Sequence, residues 1–190
     1  LNEFLPLLED YGFRPSDRQL LATMANHFPE YIIEMSSELV ENPDCYLVLR
    51  FDLLLSSVRD YDELHGVELA KKAIAVGNNE LALALGRAYR WGRFWAKEPS
   101  PADLEIFNQL VNHPNLQVRQ NAIGSLQNLG NVKPGLALSL MHGIDISNDQ
   151  TLATELVQIF DDGRWGISYK NLSEKDILAV LEKLEGINEI

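Results

Sequence analysis

Apolar residues recur at steps of three and four along most of this chain, and that period leaves little room for any fold but a helical one. Ile32, Met35 and Leu39 form one such stripe, and Leu64, Val67 and Ile74 a second. Val118, Ala122, Leu126 and Leu129 form a third, Leu152, Leu156, Ile159 and Phe160 a fourth, and Ile177, Val180, Leu181 and Leu184 a fifth. Each is the signature of a helix with one buried face. Strand patterning is poor. Trp165 to Tyr169 is short, has no partner of similar length and reads as an irregular connection. Leu47 to Leu55 carries Arg50 and Asp52 with few β-branched residues, so a mostly buried helix is expected there.

Punctuation marks the helix ends. Ser16 with Gln19, Asp60 with Glu63, Ser100 with Asp103, and Ser173 with Asp176 have the spacing of a capping box, in which two side chains satisfy free backbone N–H groups reciprocally. Pro101 and Pro43 follow Ser100 and Asn42 at the first helical position, where a missing N–H costs nothing. Gly77, Gly130, Gly143 and Gly186 stand where helices are expected to stop. The helices then pair as Leu1–Asp10 with Ser16–His27, Glu30–Glu41 with Asp44–Arg59, Asp62–Val76 with Asn79–Trp95, Ala102–Val111 with Leu116–Leu129, and Pro134–His142 with Asp149–Phe160. Glu174–Glu185 is left as a last helix. The turns before the second helices carry Asp44, Asn79, Asn115 and Asp149, which are 35, 36 and 34 residues apart. A repeat of that length without strands predicts an all-α fold, a right-handed α-solenoid of about five antiparallel pairs plus one helix. Residues 1–190 are expected to form a single domain cut from a longer protein.

The segment His113-Pro114-Asn115-Leu116-Gln117-Val118-Arg119-Gln120-Asn121-Ala122-Ile123-Gly124-Ser125-Leu126 resembles a HEAT repeat, an armadillo-like helical family. Asn115, Pro114, Val118, Arg119, Ala122 and Leu126 stand where that family places its turn residue, proline, Val-Arg pair, small residue and leucine. Asp149, Leu152, Leu156 and Phe160 follow the pattern more loosely, and the first third of the chain barely follows it. Leu85-Gly86-Arg87-Ala88-Tyr89 looks locally like a tetratricopeptide motif, which does not recur. Either resemblance implies a binding scaffold. The HEAT resemblance further implies that Arg119 pairs with an acid of a neighbouring repeat.

Chemistry is scarce. The chain carries 16 Lys and Arg against 28 Asp and Glu, a net charge of −12, which repels duplex DNA and anionic membranes. No apolar run reaches the length of a membrane span. The single cysteine, Cys45, excludes an internal disulfide and a thiolate zinc cluster, and fits a reducing, cytoplasmic setting. With no basic neighbour to lower its pKa, it is expected to pack rather than react. His27, His65, His113 and His142 lie in four different segments without metal-ligand spacing. Phosphate loops and nucleophile elbows are absent. Asp161-Asp162-Gly163 is followed by Arg164 and Trp165 and does not continue as a calcium loop. No catalytic residue, metal or cofactor is assigned.

One segment departs from the acidic background. Arg87, Tyr89, Arg90, Trp91, Arg93, Phe94, Trp95 and Lys97 crowd eleven residues. Such a cluster either covers a core edge, with arginine stems packed and heads in water, or binds a ligand. At about 100° per residue from the aligned turn residues, Arg87, Arg90 and Arg119 fall within roughly a 60° arc. Arg87, Arg90, Trp91 and Arg119 are therefore the candidate partner-binding residues, for a protein or peptide segment that is acidic or bears a carboxylate. The competing account pairs these arginines with Asp52, Asp103 or Glu105. The expected role is a non-enzymatic interaction or regulatory module of a larger protein. The alternative is nucleic-acid binding, since some HEAT-like folds are DNA glycosylases, with Trp91, Trp95 and Asp103 cast as aromatics and acid.

Overall fold

A computed structural model describes residues 17–92, 94–95, 98–146, 149–161 and 172–185. All regular structure among them is helical: α1 Asp17–His27, α2 Pro29–Glu41, a 3-10 helix Tyr46–Arg50, α3 Phe51–Tyr61, α4 Glu63–Ala75, α5 Asn79–Trp91, α6 Pro101–Val111, α7 Leu116–Val132, α8 Pro134–Gly143, α9 Gln150–Asp161 and α10 Glu174–Glu185. The expected helix at residues 1–10, the Ser16 cap, the Trp165–Tyr169 connection, most of the Asp161-Asp162-Gly163 turn and the Gly186 stop lie outside the described residues. The chain divides into two compact units, Leu1–Ala88 and Tyr89–Ile190, with the boundary inside α5.

In the first unit α1 packs on α2 and α3, α2 on α3 and α4, and α3 on α4. Leu21, Ile32, Leu39, Phe51, Leu54, Leu55 and Ala70 are buried in its core. In the second unit α6 packs on α7, α7 on α8 and α9, and α8 on α10. Its core is centred on α7, where Asn121 through Leu126 are buried without interruption. Six consecutive buried residues cover every side of a helix, so α7 is enclosed by neighbours.

Several ends differ from the sequence reading, for local reasons. Asp60 does not open α4; α3 runs on to Tyr61, and Asp62 caps α4 by accepting from the His65 N–H at 3.0 Å. Asn78, rather than Asn79, caps α5, taking the N–H groups of Glu80 and Leu81 at 2.9 and 3.1 Å. The expected Asp44–Arg59 helix begins instead as a turn at Pro43 and Asp44, tightens into the 3-10 helix and becomes α-helical only at Phe51. No side chain caps the 3-10 helix. α5 stops at Trp91, and Trp95 reaches the core from beyond it. Gly130 lies inside α7 and is buried, whereas Gly77 has φ +72° and ends α4 in a conformation that suits glycine. Ser100–Asp103 is a full capping box, and Ser173 accepts from the Asp176 N–H at 3.2 Å.

Two contacts in the second unit set its response to mutation and pH. Lys183 of α10 donates its ammonium protons to the carbonyls of Met141, His142 and Ile144, at 3.1 and 2.6 Å for the first two, and so closes the C-terminus of α8. A cation suits that end of the helix. Burial pushes the Lys183 pKa down, and Asp145 opposes the shift. Lys183→Met keeps the stem and removes the three donors; a loss of about 2 kcal/mol is expected in urea unfolding, and an unchanged midpoint would show that α10 docks through its apolar face alone.

His113, in the α6–α7 turn, accepts the Asn115 N–H on Nδ1 at 3.1 Å, which requires the neutral imidazole. Burial lowers its pKa. A depressed histidine contributes stability that is present above its ordinary value of 6.5 and is lost as pH falls through the folded-state value. The parent should therefore lose melting temperature below pH 6.5 relative to His113→Asn, whose amide does not titrate; parallel pH profiles would refute it.

Candidate partner-binding groove

The basic-aromatic segment splits by burial. Tyr89, Phe94 and Trp95 are core residues of the second unit, and Trp91 is 69% exposed. Tyr89 meets Phe94 and Trp95 edge-on, at 5.0 and 5.4 Å between ring centroids, and Trp95 meets Phe107 at 5.9 Å. Arg93 and Lys97 lie outside the described residues. Asp103 is 1% exposed; it accepts from the Tyr89 hydroxyl at 2.9 Å and from the Ser100 hydroxyl at 2.7 Å. It thus joins the α6 cap to the aromatic core and has no open face for a ligand.

Arg87 belongs to the first unit. It donates to the Leu49 carbonyl at 2.7 Å and lies 3.9 Å from Asp52, the acid the competing account named. Asp52 Oδ1 is buried without a hydrogen-bond partner. Burial raises the Asp52 pKa above 3.8; Arg87, backbone donors and Arg50 only partly offset it. A raised carboxyl contributes stability fully present below its ordinary value and lost as pH rises through the folded-state value. Asp52→Asn is accordingly expected to melt no lower than the parent at pH 7, while the parent gains on the variant as pH falls towards 3.8. A variant clearly less stable at pH 7 would show that the Arg87 pair outweighs the burial.

Arg90 and Arg119 are held within the second unit. Arg119 pairs with Asp149 at 3.1 Å, and the other oxygen of Asp149 caps α9 by accepting from Thr151 and Leu152 N–H groups at 3.0 and 3.2 Å. Arg90 leaves the end of α5 and crosses α7 at Gly124. A Cβ on Gly124 would stand 2.6 Å from its guanidinium carbon, so the glycine makes the notch it lies in. Beyond the notch Arg90 reaches Glu155 of α9 at 2.6 Å, with a long contact of 3.4 Å to the Gln120 carbonyl. The Asn128 amide donates to the Arg90 carbonyl at 2.7 Å. Trp91 lies beside the strap, its ring centroid 5.1 Å from the guanidinium carbon.

Glu155 also lines an open groove of about 330 Å³ between α7 and α9, with Gln120, Gln150, Thr151, Thr154 and Gln158. The sequence reading did not single these out. Their signal was the four-residue step Gln150, Thr154, Gln158 beside Thr151, Glu155, a polar stripe opposite the apolar one. The groove therefore has hydroxyl and carboxamide donors and acceptors on its walls, an Arg–Glu pair at its edge and an exposed tryptophan against that pair. Among the described residues no group of three or more His, Cys, Asp or Glu side chains could hold a metal ion. No helix among them is long and apolar enough to cross a membrane.

No protein-family model, curated protein or solved structure matches this chain.

Proposed function

We propose that the chain is a non-enzymatic interaction module that holds a protein or peptide segment in the α7–α9 groove, with Trp91 and Arg90 as anchors and Arg119 as the support of the α9 end. The observation that carries this reading is Trp91, an indole 69% exposed and stacked on an arginine beside a polar groove. Tryptophan and arginine dominate interface energies more often than other residues. Arg90 spends one edge on Glu155; its remaining N–H groups suit a carboxylate of the partner. The packing of α1 to α4 on next and next-but-one neighbours, of α7 on α8 and α9, and the Arg119–Asp149 pair, support an architecture of the HEAT type: a right-handed α-solenoid of about five helix pairs and a last helix. A scaffold of this kind fits an acidic cytoplasmic protein that works as part of a longer chain.

A labelled Glu-rich peptide and its Lys-rich counterpart test the reading by fluorescence anisotropy. Trp91→Ala is expected to leave the melting temperature within the range of an ordinary surface change, about 0.5 kcal/mol, and to weaken binding of the Glu-rich peptide about tenfold or more. Arg87→Glu measures separately whether the first unit's arginine contributes. Equal binding by parent and Trp91→Ala would reject the groove. A salt-sensitive gel shift that survives Trp91→Ala would favour the nucleic-acid alternative.

A further inference from the structure

The first unit turns two tight corners of the same make. α1 ends at His27 and α2 begins at Pro29; α3 ends at Tyr61 and α4 begins at Glu63. One residue links each pair, Phe28 in the first corner and Asp62 in the second. Both corners put large apolar side chains into water. Phe28 and Tyr31 are 59% and 55% exposed, and Tyr61 and Leu64 are 60% and 81% exposed. None of the four serves the core, which these helices build from Leu21, Ile32, Met35, Leu54, Val58 and Val67. Folding leaves such residues unprotected only at some cost in solubility, so grouped exposure marks a contact surface. Since α1 packs on α3 and α2 on α4, the two corners lie on neighbouring layers of the unit.

Charge specifies what could cover them. Glu30, Glu34, Asp60 and Asp62, each within three residues of one of the four apolar side chains along the chain, are exposed. Between Asn26 and Ala70 the only Lys or Arg residues are Arg50 and Arg59, against ten acids. Arg59 is 8% exposed and pairs with Glu63 at 3.9 Å, so it gives the corners no open cation. We propose that the two corners form one docking edge for a basic amphipathic helix of a partner protein, whose apolar residues at three- and four-residue spacing cover Phe28, Tyr31, Tyr61 and Leu64 while its lysines and arginines meet the acids. Apolar anchors supply the affinity, and the acidic rim supplies the approach rate and the choice of partner. The corners share no residue with the groove of Arg90 and Trp91, and they ask for a partner of opposite charge.

A labelled Leu/Lys amphipathic peptide is titrated into the full chain, beside a Ser/Lys peptide of equal charge. The Leu/Lys peptide is expected to bind in the micromolar range and to weaken with salt; the Ser/Lys peptide should bind at least about tenfold less tightly. Phe28→Ser with Tyr31→Ser, and Tyr61→Ser with Leu64→Ser, should each lower Leu/Lys affinity about tenfold without moving the melting temperature. Trp91→Ala should change nothing in this assay, which separates failure of the edge from failure of the groove. Equal binding of both peptides, or affinity unmoved by either pair of substitutions, overturns the proposal. So does loss at one corner alone, which denies the shared edge. Concentration-dependent self-association abolished by the same substitutions would overturn it in favour of a second copy of the chain as occupant.

Discussion

Ala122→Asp is expected to abolish cooperative folding of the second unit. Ala122 is fully buried, and its helix is enclosed from Asn121 to Leu126 by α6, α8 and α9. A carboxylate there has no path to water. The two arginines within reach of the region are already engaged, Arg119 by Asp149 and Arg90 by Glu155. Neutralising the new acid by protonation still leaves an unpaired polar group and excess volume in a packed core. A cost of about 4 kcal/mol or more follows, which is a large part of the roughly 5–15 kcal/mol that holds a domain together. Ala122→Asn separates charge from size, because it has nearly the same shape and no charge. The asparagine variant should fold with a lowered midpoint while the aspartate variant shows no cooperative transition by calorimetry. Equal damage by both would assign the effect to crowding, and a cooperative aspartate variant melting within a few degrees of the parent would mean that α7 is not enclosed.

That site was legible in the sequence because burial on a helix is periodic. The third apolar stripe placed Ala122 correctly, and the Ser100–Asp103 box and the Asn115 turn fixed where α6 and α7 begin. Ends were harder to read where two polar residues compete for the same free N–H groups. Asp60 and Asp62 both suit a cap, and so do Asn78 and Asn79; which one wins depends on how far the preceding helix continues, a matter of packing rather than of spacing. The turn at Pro43 and the 3-10 helix after it were hidden for a similar reason, since an apolar run such as Leu47 to Leu55 has the same composition in either helical form.

The arginines show a further limit. Helical geometry put Arg90 and Arg119 on one side of their helices, but only the fold reveals Glu155 and Asp149 as their partners, 65 and 30 residues further along the chain. Asp103 was expected as a possible partner and is taken by Tyr89 and Ser100 instead. The polar groove went unread because glutamine and threonine on a solvent face look the same whether they line a groove or merely dissolve the helix. Exposure of Trp91, Tyr61 and Leu64 was equally hidden: each stands at a helical spacing that could have served the core.

Gly66→Ala is expected to destabilise the first unit although it improves the intrinsic propensity of α4. In a helix interior that exchange ordinarily gains about 1 kcal/mol. Here a Cβ would stand 2.2 Å from the Cγ of Arg59 and 3.0 Å from its Cα. Arg59 lies in the last turn of α3, is buried and pairs with Glu63, so its stem cannot swing clear without opening the α3–α4 corner. The contact with Cα makes the obstacle backbone as well as side chain, and the helix axes must separate. Overpacking of this kind costs roughly 1–3 kcal/mol and at times more, so a net loss of about 2 kcal/mol should remain after the propensity gain. A double-mutant cycle with Arg59→Ala isolates the cause. Removing the Cγ relieves the closest approach, so Gly66→Ala should cost less in the Arg59→Ala background than in the parent. Additive effects would place the strain elsewhere, and a rise in the urea midpoint of the single variant would mean that α3 and α4 do not meet at this glycine.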